Sequence, residues 1–293
     1  MSADAAAALP AERRPTIRTP ADLAARRAAA GTAPRPAVPG VAVADVRYGD
    51  VPCVVCEPPR ARNVLTYFHG GGYRLGSAAL FAPFAARLAA ATGSRVVAVD
   101  YRLAPEHPFP AALHDAMTVH ARLLDETGRP AVAVGDSAGG GLAAALAVAC
   151  ARAGVAVPRA LVLVSAWLDL RCTAEGYASR AATDRLFSHA AAQEAAGQYL
   201  QGHDPADPLA SPLLADPAAF PPTLMLASTA EVLLDDALGM ASALARAGVP
   251  VSTAVERDVP HAWPAVAPDR PEAAAALDTI ARFVAHHTGR EGA

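Results

Sequence analysis

From residue 41 onward, short apolar runs alternate with longer segments of mixed polarity. Apolar runs of roughly four to eight residues bounded by turn residues read as buried strands, while longer segments with apolar positions three and four apart read as helices. Strands are therefore predicted at VAVADVRY (41–48), VPCVVCE (51–57), NVLTYFH (63–69), RVVAVDY (95–101), AVAVG (131–135), ALVLVSA (160–166), TLMLAS (223–228) and VSTAVE (251–256). Helices are predicted over 21–30, 78–92, 110–126, 138–153, 233–248 and 272–287. Only Gly49-Asp50 separates the first two strands, which suits an antiparallel turn. Most later strands are separated by helices. That spacing calls for a mostly parallel sheet joined by crossovers and buried on both faces. The predicted class is α/β.

Two stretches leave this pattern. Residues 1–40 are rich in Ala, Pro and Arg and read as an arm carrying one helix. Residues 170–215 carry helical segments interrupted by Asp-Pro pairs and read as an insertion. The expected organisation is an arm or cap helix over 1–40 and a catalytic domain over 41–293, with a cap insertion at about 170–215.

Composition narrows the function classes. Of 293 residues 53% are hydrophobic and 18% charged, which excludes a disordered chain, and with 5% aromatics the core must be built from Ala, Val and Leu. All 25 basic residues are Arg and the net charge is −3, so no clustered positive charge prepares a nucleic-acid or anionic-membrane surface. No apolar run approaches the ~18–20 residues of a membrane span. Asp4 stands where a signal peptide needs positive charge, so a cytoplasmic protein is expected. Cys53 and Cys56 form a C-x-x-C, but on a strand residues i and i+3 face opposite sides and no second pair completes a zinc site. Neither a metal nor a cofactor is expected.

The chemistry gathers at strand ends. The run AVAV leads into Gly135-Asp136-Ser137-Ala138-Gly139-Gly140 and then a predicted helix. This is G-x-S-x-G between strand and helix, where a sharp turn lifts a nucleophilic hydroxyl clear of the sheet and glycines remove colliding side chains. The run NVLTYF leads into His69-Gly70-Gly71-Gly72-Tyr73, whose bare amides suit a tetrahedral oxyanion. Gly70, Gly71 and Ala138 are the expected oxyanion donors, with His69 bracing the loop. A phosphate loop is excluded because the chain contains no Lys.

At these residues the chain resembles the hormone-sensitive-lipase-like (bacterial family IV) carboxylesterases of the α/β-hydrolases. His69-Gly70-Gly71-Gly72 and Gly135-Asp136-Ser137-Ala138-Gly139-Gly140 match that family's oxyanion and elbow motifs. Asp100 to Glu106 with Pro108 to Ala111 matches a further characteristic segment. The resemblance runs from about residue 41 to the end. It implies an α/β-hydrolase fold with a helical cap and a Ser–acid–His triad in that chain order. His261, in a loop after a late strand, matches the family's catalytic His. Where the family commonly shows D-x-L-x-D, alignment on Leu233 places Glu231 at the triad acid and Asp235 at the second acid. Asp235 stays a rival for the role, and its alternative is a loop brace or helix cap. Asp100, Arg102 and Glu106 are expected to pin loops beside the pocket, and Trp167 either lines an acyl pocket or belongs to the core.

The expected activity is hydrolysis of short-chain carboxylic esters by Ser137, Glu231 and His261, on a small-molecule ester, by a monomer or homodimer. A deacetylase or acyltransferase tailoring a secondary metabolite would use the same residues. A non-catalytic binder on a hydrolase scaffold would typically have lost Ser137 or His261.

Overall fold

The computed structural model describes residues 9–30 and 38–289. The beginning of the expected arm, its 31–37 portion and residues 290–293 lie outside the described residues.

Eight strands form one sheet: β1 (Ala42–Tyr48), β2 (Val51–Glu57), β3 (Val64–Phe68), β4 (Arg95–Val99), β5 (Val132–Asp136), β6 (Leu161–Val164), β7 (Thr223–Ser228) and β8 (Val251–Glu256). Their order is β1-β2-β4-β3-β5-β6-β7-β8. β1 pairs antiparallel with β2, and β2 with β4; every later pairing is parallel. The helices are α1 (Ala21–Ala30), α2 (Ala78–Thr92), α3 (Ala111–Thr127), α4 (Ala138–Arg152), α5 (Gly176–Ser179), α6 (His189–Leu200), α7 (Leu234–Arg246), α8 (Trp263–Val266) and α9 (Pro271–Thr288). The four-residue α8 is an addition to the sequence expectation; it is too short to carry a helical period.

Alternation along the strands divides the core into two layers. Phe68, Val97, Val99, Leu161, Leu163 and Met225 join α3, α4 and α7 on one face. Leu65, Tyr67, Val96, Ala98, Val162 and Leu224 join α2 and α9 on the other. Cys53 belongs to the first layer and Cys56 to the second, so the two thiols face apart. The α4 segment AGGGLAAALAVAC is almost wholly buried, and its small residues let it lie close against the sheet.

The N-terminal segment is tied to the body by polar contacts. Arg102 donates to Glu12 and Asp115. Arg27 pairs with Glu106 at 2.7 Å and donates to the Arg74 and Ala104 carbonyls. Arg13 donates to the Leu200 and Gln201 carbonyls at the end of α6. Asp100 accepts the Ala78 amide at the start of α2. Arg102 and Glu106 thus pin the N-terminal segment over the strand ends, while Asp100 anchors a helix.

Candidate active site

The residues singled out from sequence lie beyond the carboxyl ends of parallel strands, the usual ligand edge of such sheets. Ser137 follows β5 directly and begins α4, with φ 52° and ψ −122°. An L-residue holds this left-handed region only when its surroundings enforce it. Here Ser137 N–H donates to the Val164 carbonyl (2.9 Å), while the Ser137 carbonyl accepts the Gly141 and Trp167 amides (3.1 and 3.0 Å). A methyl on Gly135 would overlap the Gly139 carbonyl, and one on Gly139 would overlap the Phe68 carbonyl. Both glycines are therefore obligatory at this turn.

The glycine loop after β3 lies against the elbow. His69 is buried and stacked between Tyr101 and Phe81, at ring separations of 4.4 and 5.5 Å. Its Nδ1–H donates to the Gly70 carbonyl at 2.8 Å, and its own carbonyl accepts the Tyr101 hydroxyl at 2.6 Å. Burial holds the His69 pKa below its usual value. The Gly70 amide does not face the cavity as a free donor: it donates to Asp136 Oδ1 at 3.0 Å. This corrects the expectation for Gly70, since an amide already engaged by a carboxylate is not open to an oxyanion. The Gly71, Gly72 and Ala138 amides donate to no described residue. Asp136, whose Oδ1 also accepts the Tyr67 hydroxyl at 2.5 Å, is pushed up to about 6 by burial, against the opposing effects of Tyr67, His261 and the Gly70 amide.

Glu231 follows β7 and His261 follows β8. Glu231 is 1% exposed and His261 8%. His261 Nδ1 stands 2.8 Å from Glu231 Oε2, and Glu231 Oε1 accepts the Ser228 amide at 2.7 Å. A carboxylate only accepts, so the Nδ1 proton points at Glu231 and Nε2 keeps its lone pair. Burial pulls the His261 pKa down, but the Glu231 hydrogen bond and charge outweigh it and the net shift is upward. Asp235 turns elsewhere: its oxygens accept the Gly176 amide at 2.6 Å and Arg180 Nη1 at 3.1 Å.

Ser137 and His261 line one cavity of about 360 Å³, together with the glycine loop, Leu186 and Phe187. Phe187 stacks on the His261 ring at 5.9 Å, and Trp167 packs behind Phe187 at 5.3 Å. Trp167 is fully buried and does not line this cavity. The stretch 183–187 is tethered to the Glu231 loop: Thr183 Oγ1 donates to the Ala230 carbonyl and Asp184 Oδ2 accepts the Val232 amide. Sequence reading missed the roles of Asp136, Asp184 and Phe187, and missed Arg26 and Arg74, which also line the cavity. Asp136 lies inside the elbow motif and so carried a signal. The others depend on contacts with distant segments and carried none.

Residues 65–265 match a family described as having the alpha/beta hydrolase fold. The chain is similar to an acetyl-hydrolase of Streptomyces hygroscopicus, 39% identical over 230 residues that cover 78% of this chain and 77% of that protein. It is also similar to the crystal structure of EstE5, with a TM-score of 0.88 at 30% identity and 94% of both chains covered. A third likeness is to an esterase from the bacterial hormone-sensitive lipase family, with a TM-score of 0.86 at 35% identity and 94% of both chains covered.

Proposed function

The chain belongs to the alpha/beta hydrolase fold family, as an esterase of the hormone-sensitive-lipase group, and we propose that it cleaves short-chain carboxylic esters through Ser137, His261 and Glu231. The observation that carries this reading is the buried Glu231–His261 pair opening onto the cavity that also holds a left-handed Ser137. In this reading His261 Nε2 takes the Ser137 proton as Oγ attacks the ester carbonyl. The oxyanion is held by the Gly71, Gly72 and Ala138 amides, with Gly72 in the place that the sequence pattern gives to Gly70. The N-terminus of α4 favours the same developing charge. His261 then protonates the departing alcohol, and water attacks the acyl-enzyme by the reverse sequence. Glu231 fixes the imidazole tautomer and stabilises the imidazolium.

The cover over this site is assigned to the arm within 1–40 and the insertion at about 170–215. Arg26 on α1 and Leu186 and Phe187 of the insertion support that assignment by lining the cavity. The acetyl-hydrolase likeness supports a small acyl group, and an amide-bound acetyl would meet the same machinery with an amine departing. The test is labelling by a fluorophosphonate probe, lost in Ser137→Ala, with turnover of a nitrophenyl ester series. Ser137→Ala should lose on the order of 10⁴–10⁶-fold in rate. Retained turnover in that variant, or faster hydrolysis of emulsified long-chain triglyceride than of a soluble butyrate ester, would refute the reading. Acetate release from matched acetyl esters and acetamides separates ester from amide cleavage.

A further inference from the structure

Among the described residues, two guanidinium groups line the Ser137 cavity, and the acyl-transfer steps use neither. Arg74 comes from the glycine loop and its side chain is only 8% exposed. Its Nη1 pairs with Glu194 Oε1 at 2.9 Å and donates to Gln198 Oε1 at 3.2 Å, both on α6. Its Nε is buried and has no hydrogen-bond partner. That Nε lies 3.9 Å from where a Cβ on Gly72 would stand. A buried cationic N–H without an acceptor is a costly exception in a folded protein. The Nη2 group also donates to no described residue and, unlike Nε, is not closed off by its surroundings, so Nη2 is the donor of Arg74 that a ligand can reach. A guanidinium N–H of this kind makes a charge-assisted hydrogen bond to a carboxylate.

Arg26 reaches the same cavity from α1. It is exposed and makes no ion pair with a described residue. Among the described residues, the one carboxylate lining the cavity is Asp136, whose Oδ1 is engaged by Tyr67 and Gly70. Glu194, the partner of Arg74, is 58% exposed and faces solvent. Arg74 shares its charge with Glu194, whereas Arg26 has no ion-pair partner among the described residues, so the mouth of the cavity carries a cation that no described residue neutralises.

We propose that the substrate is an anionic ester, one bearing a carboxylate on its acyl or alcohol half, bound by Arg74 Nη2 with Arg26 at the mouth. The inference rests on the esterase reading and names the substrate class for that same site. Neither arginine touches the reacting atoms. Both act on specificity, chiefly through KM.

Two matched pairs test it: 4-nitrophenyl hemiglutarate against 4-nitrophenyl valerate, and 4-acetoxybenzoate against 4-acetoxybenzamide. In one pair the anionic member should have a kcat/KM higher by about tenfold or more, the size of a hydrogen bond to a charged group. The preference should shrink as salt is raised. Arg74→Gln should bring the ratio within the pair close to one. Arg26→Ala, at an exposed position where folding is not at stake, should cut the ratio about threefold. Equal kcat/KM within both pairs for the unaltered enzyme would overturn the inference while leaving the esterase reading standing. So would an Arg74→Gln variant that slows both members equally, the result expected if Arg74 merely braces α6. No turnover of any of the four esters, with Ser137 unlabelled by a fluorophosphonate, would overturn the esterase reading and this inference with it.

Discussion

His261 Nδ1 and Glu231 Oε2 stand 2.8 Å apart although 30 residues separate them in the chain. Their loops leave β7 and β8, parallel neighbours whose carboxyl ends lie side by side. Asp235, one helical turn beyond Glu231, instead ties α7 to the insertion through Gly176 and Arg180.

This arrangement ranks three variants. Glu231→Gln keeps a hydrogen-bonding shape but loses the charge facing the imidazolium, and kcat should fall by as much as ~10⁴-fold. Glu231→Asp keeps the charge one methylene short and should lose less. Asp235→Asn should chiefly lower stability, by about 1–2 kcal/mol for a charged brace that is partly exposed. Steady-state rates and thermal unfolding of the three read the order. A larger activity loss in Asp235→Asn than in Glu231→Gln, at equal folded fraction, would reassign the acid.

With His261 as the proposed base, the pH profile is set by its imidazole. A general base works only when neutral. Glu231 holds the imidazolium above the ordinary 6.5 despite burial. Activity should therefore be lost as pH falls through a value above 6.5. In Glu231→Gln, burial acts without the opposing carboxylate, so the residual activity should show its acid limb at lower pH. Profiles of kcat/KM for both proteins measure the displacement; an unmoved limb would place the titrating base elsewhere.

Asp236 makes stability pH-dependent. Burial raises its carboxyl from 3.8 to about 7, opposed by the Leu168 and Asp169 amides that it accepts and reinforced by the nearby Asp169 and Asp235 charges. A group whose folded pKa is raised keeps its proton longer in the folded chain than in the unfolded one. Its contribution is present at low pH and is lost as pH rises from 3.8 through about 7. Asp236→Asn can accept both amides through one oxygen and carries no charge. Its melting temperature should fall less than that of the unaltered protein between about pH 5 and about pH 8. Parallel curves for the two proteins would contradict this.

Glycines can be sorted by the space around them. A methyl on Gly139 would overlap the Phe68 carbonyl and come within 2.6 Å of the His69 carbonyl, both rigid backbone. Gly139→Ala should cost about 3 kcal/mol or more and disturb the elbow. Gly197, inside α6, has open space where a methyl would stand, with nothing within 4 Å. Gly197→Ala should stabilise by up to about 1 kcal/mol through helix propensity. Urea midpoints compare the two, and opposite signs are expected.

Local physics made much of the fold legible. The period of apolar residues places the strands and long helices within a residue or two, because side-chain alternation and helical repeat act over a few residues. The left-handed turn at Ser137 is legible for the same reason: its glycines answer to neighbouring backbone. What the tertiary structure alone decides is set by contacts across the sheet. The Gly70 amide is drawn to Asp136, 66 residues away, once β3 and β5 lie side by side. The choice of Glu231 rather than Asp235 as the partner of His261 depends on how the β7 and β8 loops approach each other. Arg74 reads as an ordinary polar loop residue until α6 takes its Nη1 and leaves its Nε buried in the cavity wall. No short-range rule sees these outcomes, because each needs two segments whose distance in space is fixed by strand order and not by their separation along the chain.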